Sequence, residues 1–474
     1  MNQNTKPGRP ANKQDNVEPD QTSLYAKHKK VYPREVHGIF ARMRTFGVLT
    51  LLGLYYGIPW LRWDERQAVL FDLPQRQFHI FGLTFWPQDF FYFAVLLIIA
   101  AIALFFFTAL AGRLWCGFAC PQTVWTEAFL WIERKIEGSR AQQMKLDKAA
   151  LTQNKFYKKS LKHFAWLLFS AFTGFTFVGY FTPMDVLWQN MVTLELGAWE
   201  AFWIIFYGLA TYGNAGWLRE QVCIYMCPYA RFQSAMIDED TLIISYDTER
   251  GDPRGSRKKS ADPAKLGLGD CIDCTLCVQA CPTGIDIRDG LQYQCIGCAA
   301  CIDACNEVME KVGYEKGLVR YTTEKTMEGG ETKILRPRII LYATILMAIS
   351  IALVTGIINR ESVELDIIRD RNNLYREVPG GLIENVYNLR IINMSTTSQR
   401  YRLSASGLEG LKLINPKGDF NVKSGEVFSL NIQLRLDPAV LKRPSNEVFF
   451  KLDSLNGDKS SIKEHARFIG PVIR

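Results

Sequence analysis

Apolar residues along this chain gather in five runs, at roughly 45 to 61, 89 to 111, 164 to 181, 199 to 217 and 339 to 358, with polar and basic stretches between them. A hydrocarbon layer of ~30 Å takes ~20 helical residues to cross, so each run is long enough, or nearly so, for a transmembrane helix. The first is short and contains Pro59, and the fourth carries Glu200 near one end and Asn214 near the other, whereas the second and fifth are unbroken. Lysine plus arginine number 9 before the first run, 3 in 62–88, 10 in 112–163, none in 182–198 and 16 in 218–338. Basic residues concentrate in the cytoplasmic loops of membrane proteins. The alternation therefore predicts that the N-terminus, residues 112–163 and residues 218–338 lie in the cytoplasm, and that five crossings leave the C-terminus outside.

The periodicity changes after the fifth run. Tyr387–Ile392, Tyr401–Leu403 and Val427–Leu434 carry the apolar and polar alternation of strands, and Asn415-Pro416-Lys417-Gly418, Ser424-Gly425 and Asn456-Gly457 are turn signals between them. Residues 365–474 thus read as an all-β sandwich. This segment has neither Cys nor Trp, so it lacks the disulfide core of antibody domains and suits docking better than chemistry. Asp247 to Asp270, rich in Gly, Pro, Lys and Arg, reads as a flexible polar tether.

Mean hydropathy is −0.04, an average that conceals these contrasts. The net charge of +8 sits beside the apolar runs, which is the bias of membrane loops, and no nucleic-acid partner is expected. Cysteine usage adds the chemistry. Of twelve cysteines, eight form the blocks Cys271-x2-Cys274-x2-Cys277-x3-Cys281-Pro282 and Cys295-x2-Cys298-x2-Cys301-x3-Cys305. In this spacing three close thiolates wrap one 4Fe-4S cubane and the fourth reaches its neighbour. The sets are Cys271, Cys274, Cys277 and Cys305 for one cluster and Cys281, Cys295, Cys298 and Cys301 for the other. A single block would be compatible with zinc, but two in tandem point to a two-cluster electron-transfer module. Asn306 stands where a proline often follows the second block.

The chain is accordingly expected to be a multi-domain membrane protein. A polar, disordered cytoplasmic segment (1–44), which does not resemble a secretory signal, precedes an α-helical transmembrane region of four helices (45–230). A linker (231–269), an α+β bacterial-type ferredoxin module (270–310), a second linker (311–338), a fifth helix (339–358) and the β-domain (365–474) follow.

The other four cysteines repeat a different motif, Cys116-x3-Cys120-Pro121 and Cys223-x3-Cys227-Pro228, each following an apolar run and an arginine, Arg113 or Arg219. Proline favours the first turn of a new helix, which would put Cys120 and Cys227 at helix N-termini, where the dipole lowers a thiol pKa. Trp125, Phe129, Ile132 and Ile136, with Arg134 and Lys135, fit a helix lying at the membrane interface. Buried free cysteine is commonly inert packing, but two copies at matching depth favour a thiol site. Soft thiolates select Cu(I), zinc or iron-sulfur clusters, so copper or a third metal centre are the candidates, and Met226 is a possible thioether ligand. The five histidines, His28, His37, His79, His163 and His465, offer no facing pair for a membrane haem, and His163 reads as a solvated interfacial residue. No phosphate loop or dinucleotide fingerprint is present.

The apolar runs, the stretch Gly112-Arg113-Leu114-Trp115-Cys116-Gly117-Phe118-Ala119-Cys120-Pro121-Gln122-Thr123-Val124-Trp125, the second Cys-x3-Cys-Pro motif, the twin cysteine blocks and the β C-terminus together resemble the FixG, RdxA and CcoG family of cytochrome c oxidase accessory proteins. The likeness covers nearly the whole chain beyond the first 35 residues. It implies a bacterial plasma-membrane protein with two 4Fe-4S clusters and an immunoglobulin-like C-terminal domain outside the cytoplasm. It further implies a cupric reductase that supplies Cu(I) to the assembly of cbb-type cytochrome c oxidase. The oxidase, its copper-delivery factors and a cytoplasmic electron donor would be the partners, and Cys116, Cys120, Cys223 and Cys227 the candidate copper site. Quinol dehydrogenases of the periplasmic nitrate reductase system are similar in their cysteine motifs and form an alternative reading, as does a non-enzymatic assembly scaffold.

Overall fold

A computed structural model describes residues 30–63, 66–258, 262, 264–370, 374–395, 397–415, 418–441, 443–456 and 461–471. The expected disorder of residues 1–29, the middle of the tether at 259–261, and the turn residues Pro416, Lys417 and Gly457 lie outside them. The helices are α1 Ile39–Gly57, α2 Phe90–Ala111, α3 Leu114–Phe118, α4 Pro121–Glu137, α5 Arg140–Lys148, α6 Gln153–Val178, α7 Met184–Thr193, α8 Ala198–Thr211, α9 Pro228–Ser234, α10 Thr248–Gly251, α11 Leu276–Ala280, α12 Ala300–Val312, α13 Glu324–Met327 and α14 Pro337–Ile358.

Three helices among the described residues are long and apolar enough to cross a membrane, Pro87–Ala111, Gln153–Val178 and Pro337–Ile358, and α7 with Ala198–Leu218, bent by 96°, makes a fourth if counted as one broken span. The expected first span falls short because Arg42 and Arg44 interrupt the first turns of α1. On α2 and α14, Phe91, Phe93, Leu97, Met347, Ile351 and Val354 are exposed. A continuous apolar surface of this kind belongs in lipid.

Helices α2 and α14 run antiparallel, joined by Tyr92 Oη to Gly356 O (3.0 Å) at one end and Arg336 Nη2 to Ala109 O (2.5 Å) at the other. Each has 22 residues, roughly 33 Å of helix. The pair separates the two extramembrane modules. At one end Trp86 Nε1 donates to Met394 O (3.1 Å) and Arg360 grips Asp89, attaching the β-domain. At the other, Arg113 and α9 hold the cysteine-rich module.

The C-terminal domain is a sandwich of two antiparallel sheets. One runs Lys412–Leu413, Val427–Leu436, Leu382–Asn393 and Val363–Arg369, with Arg376–Val378 alongside; the other runs Phe420–Val422, Gln399–Ser406, Ser445–Ser454 and Ser461–Ile469. Alternation sends Tyr387, Leu389, Ile391, Tyr401, Phe450 and Phe468 inward to a common core. The buried Tyr387 hydroxyl satisfies itself by donating across the sheets to Arg467 O (3.0 Å).

The cysteine module is larger than 270–310 and is no tethered appendage. Ile243–Tyr246 and Val319–Thr322, both placed by sequence in linkers, pair antiparallel. Ile244, Tyr246, Leu318 and Val319 then pack on the cysteine loops and α12. The module also recruits residues assigned to the disordered N-terminus. The Asp303 carboxylate of α12 accepts from Ala41 N (2.7 Å) at the start of α1, whose own N-cap, Gly38, has no side chain to offer. A Cβ on Gly38 would lie 2.2 Å from Asp303 Oδ1, so glycine is what lets this long-range cap form.

Candidate metal centres

The tandem blocks close two adjoining cavities. Cys271, Cys274, Cys277 and Cys305 line one; Cys281, Cys295, Cys298 and Cys301 line the other, which Cys277 also reaches. Each loop curls through two left-handed residues at equivalent places, Asp273 (φ 53°) and Thr275 (φ 57°) in the first block, Gly297 (φ 68°) and Ala299 (φ 59°) in the second. Because that conformation is unfavourable outside glycine, its recurrence marks loops held to turn successive thiols toward one centre. Helix α12 then carries Cys301 to one cavity and Cys305, one turn on, to the other. Asn306 is not idle: its Oδ1 accepts from Gly317 N (2.9 Å), pinning α12 to the following loop.

Four cysteine sulfurs set among largely apolar neighbours in each cavity fit 4Fe-4S clusters, which would be held by these thiolates and would each store an electron. Burial pushes the Cys277 thiol up to about 11 and Cys298 and Cys305 up to about 12. Iron's positive charge would invert that preference and couple binding to thiol ionisation. Among the described residues no three His, Cys, Asp or Glu converge on a single ion. A single ion needs its sulfurs within about 4 Å of one another, and a multi-iron cluster spaces them wider.

The two Cys-x3-Cys-Pro motifs lie against this module. Cys120 and Cys227 are the caps of proline-started helices α4 and α9. The expected lowering of their pKa by the helix dipole is not what governs the site: loss of hydration on burial raises Cys120 and pushes Cys116 and Cys223 up to about 12, and α9 has only seven residues. Cys116 and Cys223 pack with Ile296 and Cys298 of the second cysteine block in one apolar cluster. Gln233, fully buried on α9, links the motifs, accepting from Cys116 Sγ (3.7 Å) while donating to Gly112 O (3.2 Å). Met226 stands exposed.

The repeat is real in the backbone but shifted by one residue from its sequence reading. Gly112 (φ 55°, ψ −120°) and Arg219 (φ 45°, ψ −114°) both sit four residues before the first cysteine. Arg113 and Arg219 are therefore not equivalents. Arg113 donates to Cys295 O (3.0 Å) and Ala230 O (2.9 Å), clamping the cluster loop to α9. Arg219 donates to Glu133 Oε2 (2.8 Å). Wide turns precede the second motif, with Arg219 N bonded to Asn214 O and Cys227 N to Val222 O, both five residues back and both 2.8 Å. Such π-type turns recur at functional sites.

Two backbones touch where module and membrane region meet. A Cβ on Gly117 would lie 2.7 Å from Gly297 O and 2.8 Å from Cys298 Cα. Gly117→Ala should force them apart at about 1–3 kcal/mol. Amide exchange across residues 295–301 is expected to accelerate with iron content unchanged, and unaltered exchange would show that the module does not rest on Gly117.

Helix α4 departs from the interfacial helix expected of it. Phe129 is fully buried against Trp166 of α6, and Glu133 and Glu137, one turn apart, are buried among cations. Lys162 lies 3.3 Å from Glu133 and 2.8 Å from Glu137, Lys30 3.2 Å from Glu133, and Lys159 2.9 Å from Glu137. His163, expected in solvent, shares a hydrogen bond with Tyr212 Oη (2.9 Å) and lies against Trp166 and Trp217. Neither arrangement is visible in local spacing, because the partners are between 22 and 103 residues apart.

Comparison with known proteins agrees with this layout. The 4Fe-4S dicluster domain family matches residues 218–324, a 4Fe-4S binding domain family matches 93–138, and the IG-like fold found at the C-terminus of FixG matches 353–471. The dicluster match includes both strands that sequence had left in linkers. Protein RdxA of Cereibacter sphaeroides is 41% identical over 82% of this chain and 85% of its own, and nitrogen fixation protein FixG of Rhizobium meliloti is 38% identical over 81% and 80%. The crystal structure of a FixG-related protein from Vibrio parahaemolyticus matches 23% of this chain and 97% of its own at 31% identity, with a TM-score of 0.22. With membrane helices, an iron-sulfur module and an Ig-like C-terminal domain in this order, the chain belongs to the FixG/RdxA family of iron-sulfur electron-transfer proteins.

Proposed function

We propose that this protein reduces Cu(II) to Cu(I) at the Cys116, Cys120, Cys223 and Cys227 thiols, with electrons drawn from two 4Fe-4S clusters, for the assembly of a cbb-type cytochrome c oxidase. The cluster ligands are the two sets of four cysteines lining the two cavities. One observation carries the reading: Cys116 and Cys223 pack against the apolar cluster that contains Cys298 and Ile296. An electron on that side of the module therefore has a protein-only path to a soft sulfur site. Thiolates favour Cu(I) over Cu(II), so the site stabilises the product of a one-electron reduction. Each Cu(II) takes one electron and leaves as Cu(I), and Gln233, bonded to Cys116, positions that thiol.

The loops with 10 and 16 basic residues are at the module's end of α2, which supports a cytoplasmic iron-sulfur module and a β-domain across the plasma membrane. That domain, without Cys or Trp, is the surface proposed to meet the oxidase or its copper-delivery factors. In Cys120→Ser and Cys227→Ser, Cu(II) should reoxidise the dithionite-reduced clusters about tenfold or more slowly than in the wild type, with cluster absorption intact. Wild-type rates in both variants would remove copper from these thiols.

A further inference from the structure

A cavity of about 820 Å3 lies between α1, α4 and the iron-sulfur module. Its wall includes Cys298 and Cys223, so an occupant touches both the second cysteine block and the membrane thiols. Its rim includes Phe46, Leu49 and Trp131, large apolar side chains left exposed at 73%, 55% and 49%. In a membrane protein such a rim faces lipid. We propose that this cavity binds a membrane quinol, which is the electron donor to the module.

The volume, the apolar mouth and a wall carrying polar and charged groups suit a hydroxylated ring with the first part of an isoprenoid tail. Of the cavity's five arginines, Arg134 is paired with Glu127 (2.6 Å) and Arg219 with Glu133 (2.8 Å), and Arg44 donates to Cys298 O. Glu127 and His37, with Glu35 and Glu220, are the wall groups able to take protons. The quinol gives its two hydroxyl protons to these side chains and thence to water, gives two electrons one at a time toward the Cys298 wall, and leaves as quinone. With the copper step this balances as one quinol and two Cu(II) giving one quinone, two Cu(I) and two protons. The inference rests on the proposed function only for where the electrons go, not for where they enter.

The test uses the full-length holoprotein in lipid nanodiscs without oxygen. Decylubiquinol should bleach the oxidised-cluster absorption in the wild type, and a photoactivated azidoquinone should label peptides from residues 31–49 or 122–134, in competition with decylubiquinol. Leu49→Trp, which fills the mouth, and Glu127→Gln, which removes a proton acceptor, should each slow quinol reduction about tenfold or more. Clusters that dithionite still reduces and Cu(II) still reoxidises at the wild-type rate in Leu49→Trp exclude misfolding as the cause. Label on other segments, or clusters inert to decylubiquinol yet reduced by NADPH with a soluble flavoprotein, would overturn the proposal. Quinol reduction and correct labelling without reoxidation by Cu(II) would leave the quinol site standing and refute copper reduction.

Discussion

Changing Cys301 to serine is expected to lower the iron content from about eight to about four atoms per chain and to cut Cu(II)-driven electron flow about tenfold or more. Cys301 is 9% exposed at the first turn of α12 and lines only the second cavity. Serine offers a hard oxygen to a soft metal, and the site is too buried for water to take its place. The loss should stay local, since the other cavity keeps Cys271, Cys274, Cys277 and Cys305. Cys277→Ser should do more damage, because Cys277 borders both cavities. Iron analysis beside spectra of the reduced protein checks both. Full iron in Cys301→Ser would remove that residue from the ligand set.

Glu133→Ala should destabilise the membrane region by about 3–5 kcal/mol, the range for breaking a buried ion pair by deleting one partner. The side chains of Glu133, Lys162 and Arg219 are 1%, 4% and 8% exposed, so removing the carboxylate strands two buried cations with Glu137 as the remaining acid. Desolvation alone would raise the Glu133 pKa, yet Arg219, Lys30 and Lys162 outweigh it and hold it at about 2, against 4.5 unperturbed. A depressed carboxylate stabilises the fold above its unfolded pKa and loses that contribution as pH falls through the folded value. About 3 kcal/mol should therefore drain away between pH 4.5 and about 2. Thermal unfolding in detergent across that window, with Glu133→Ala as the flat reference, measures it. Because Glu133 anchors Arg219, whose left-handed turn precedes Cys223, the variant should also loosen the second thiol pair.

What sequence made legible follows from how local each signal is. Tandem cysteine spacing is a property of short loops, and each expected set of four lines one cavity, with Cys277 bordering the other as well. Strand alternation in the C-terminal domain is equally local, and Leu382–Asn393 and Val427–Leu436 lie where it places them. Docking is not local. Gly117 against Gly297 is a contact of backbones, which leaves no side-chain pattern to read. Asp303 capping α1 from 262 residues away is equally silent. The charges on α4 look amphipathic in one dimension and become an ion network only once α6 and the Arg219 turn close over them. Arg113 stands three residues before Cys116 and Arg219 four before Cys223, a difference that takes on meaning only when Gly112 and Arg219 share one backbone conformation.

The central claim is that electrons stored in the iron-sulfur module leave through the paired thiols that it rests upon. The most direct measurement counts Cu(I), trapped by a chelator, when Cu(II) is added anaerobically to the fully reduced, desalted protein. The account predicts about two Cu(I) per chain, one for each cluster, formed in step with the return of oxidised-cluster absorption. Clusters that stay reduced in the presence of Cu(II), with no Cu(I) trapped, would contradict it.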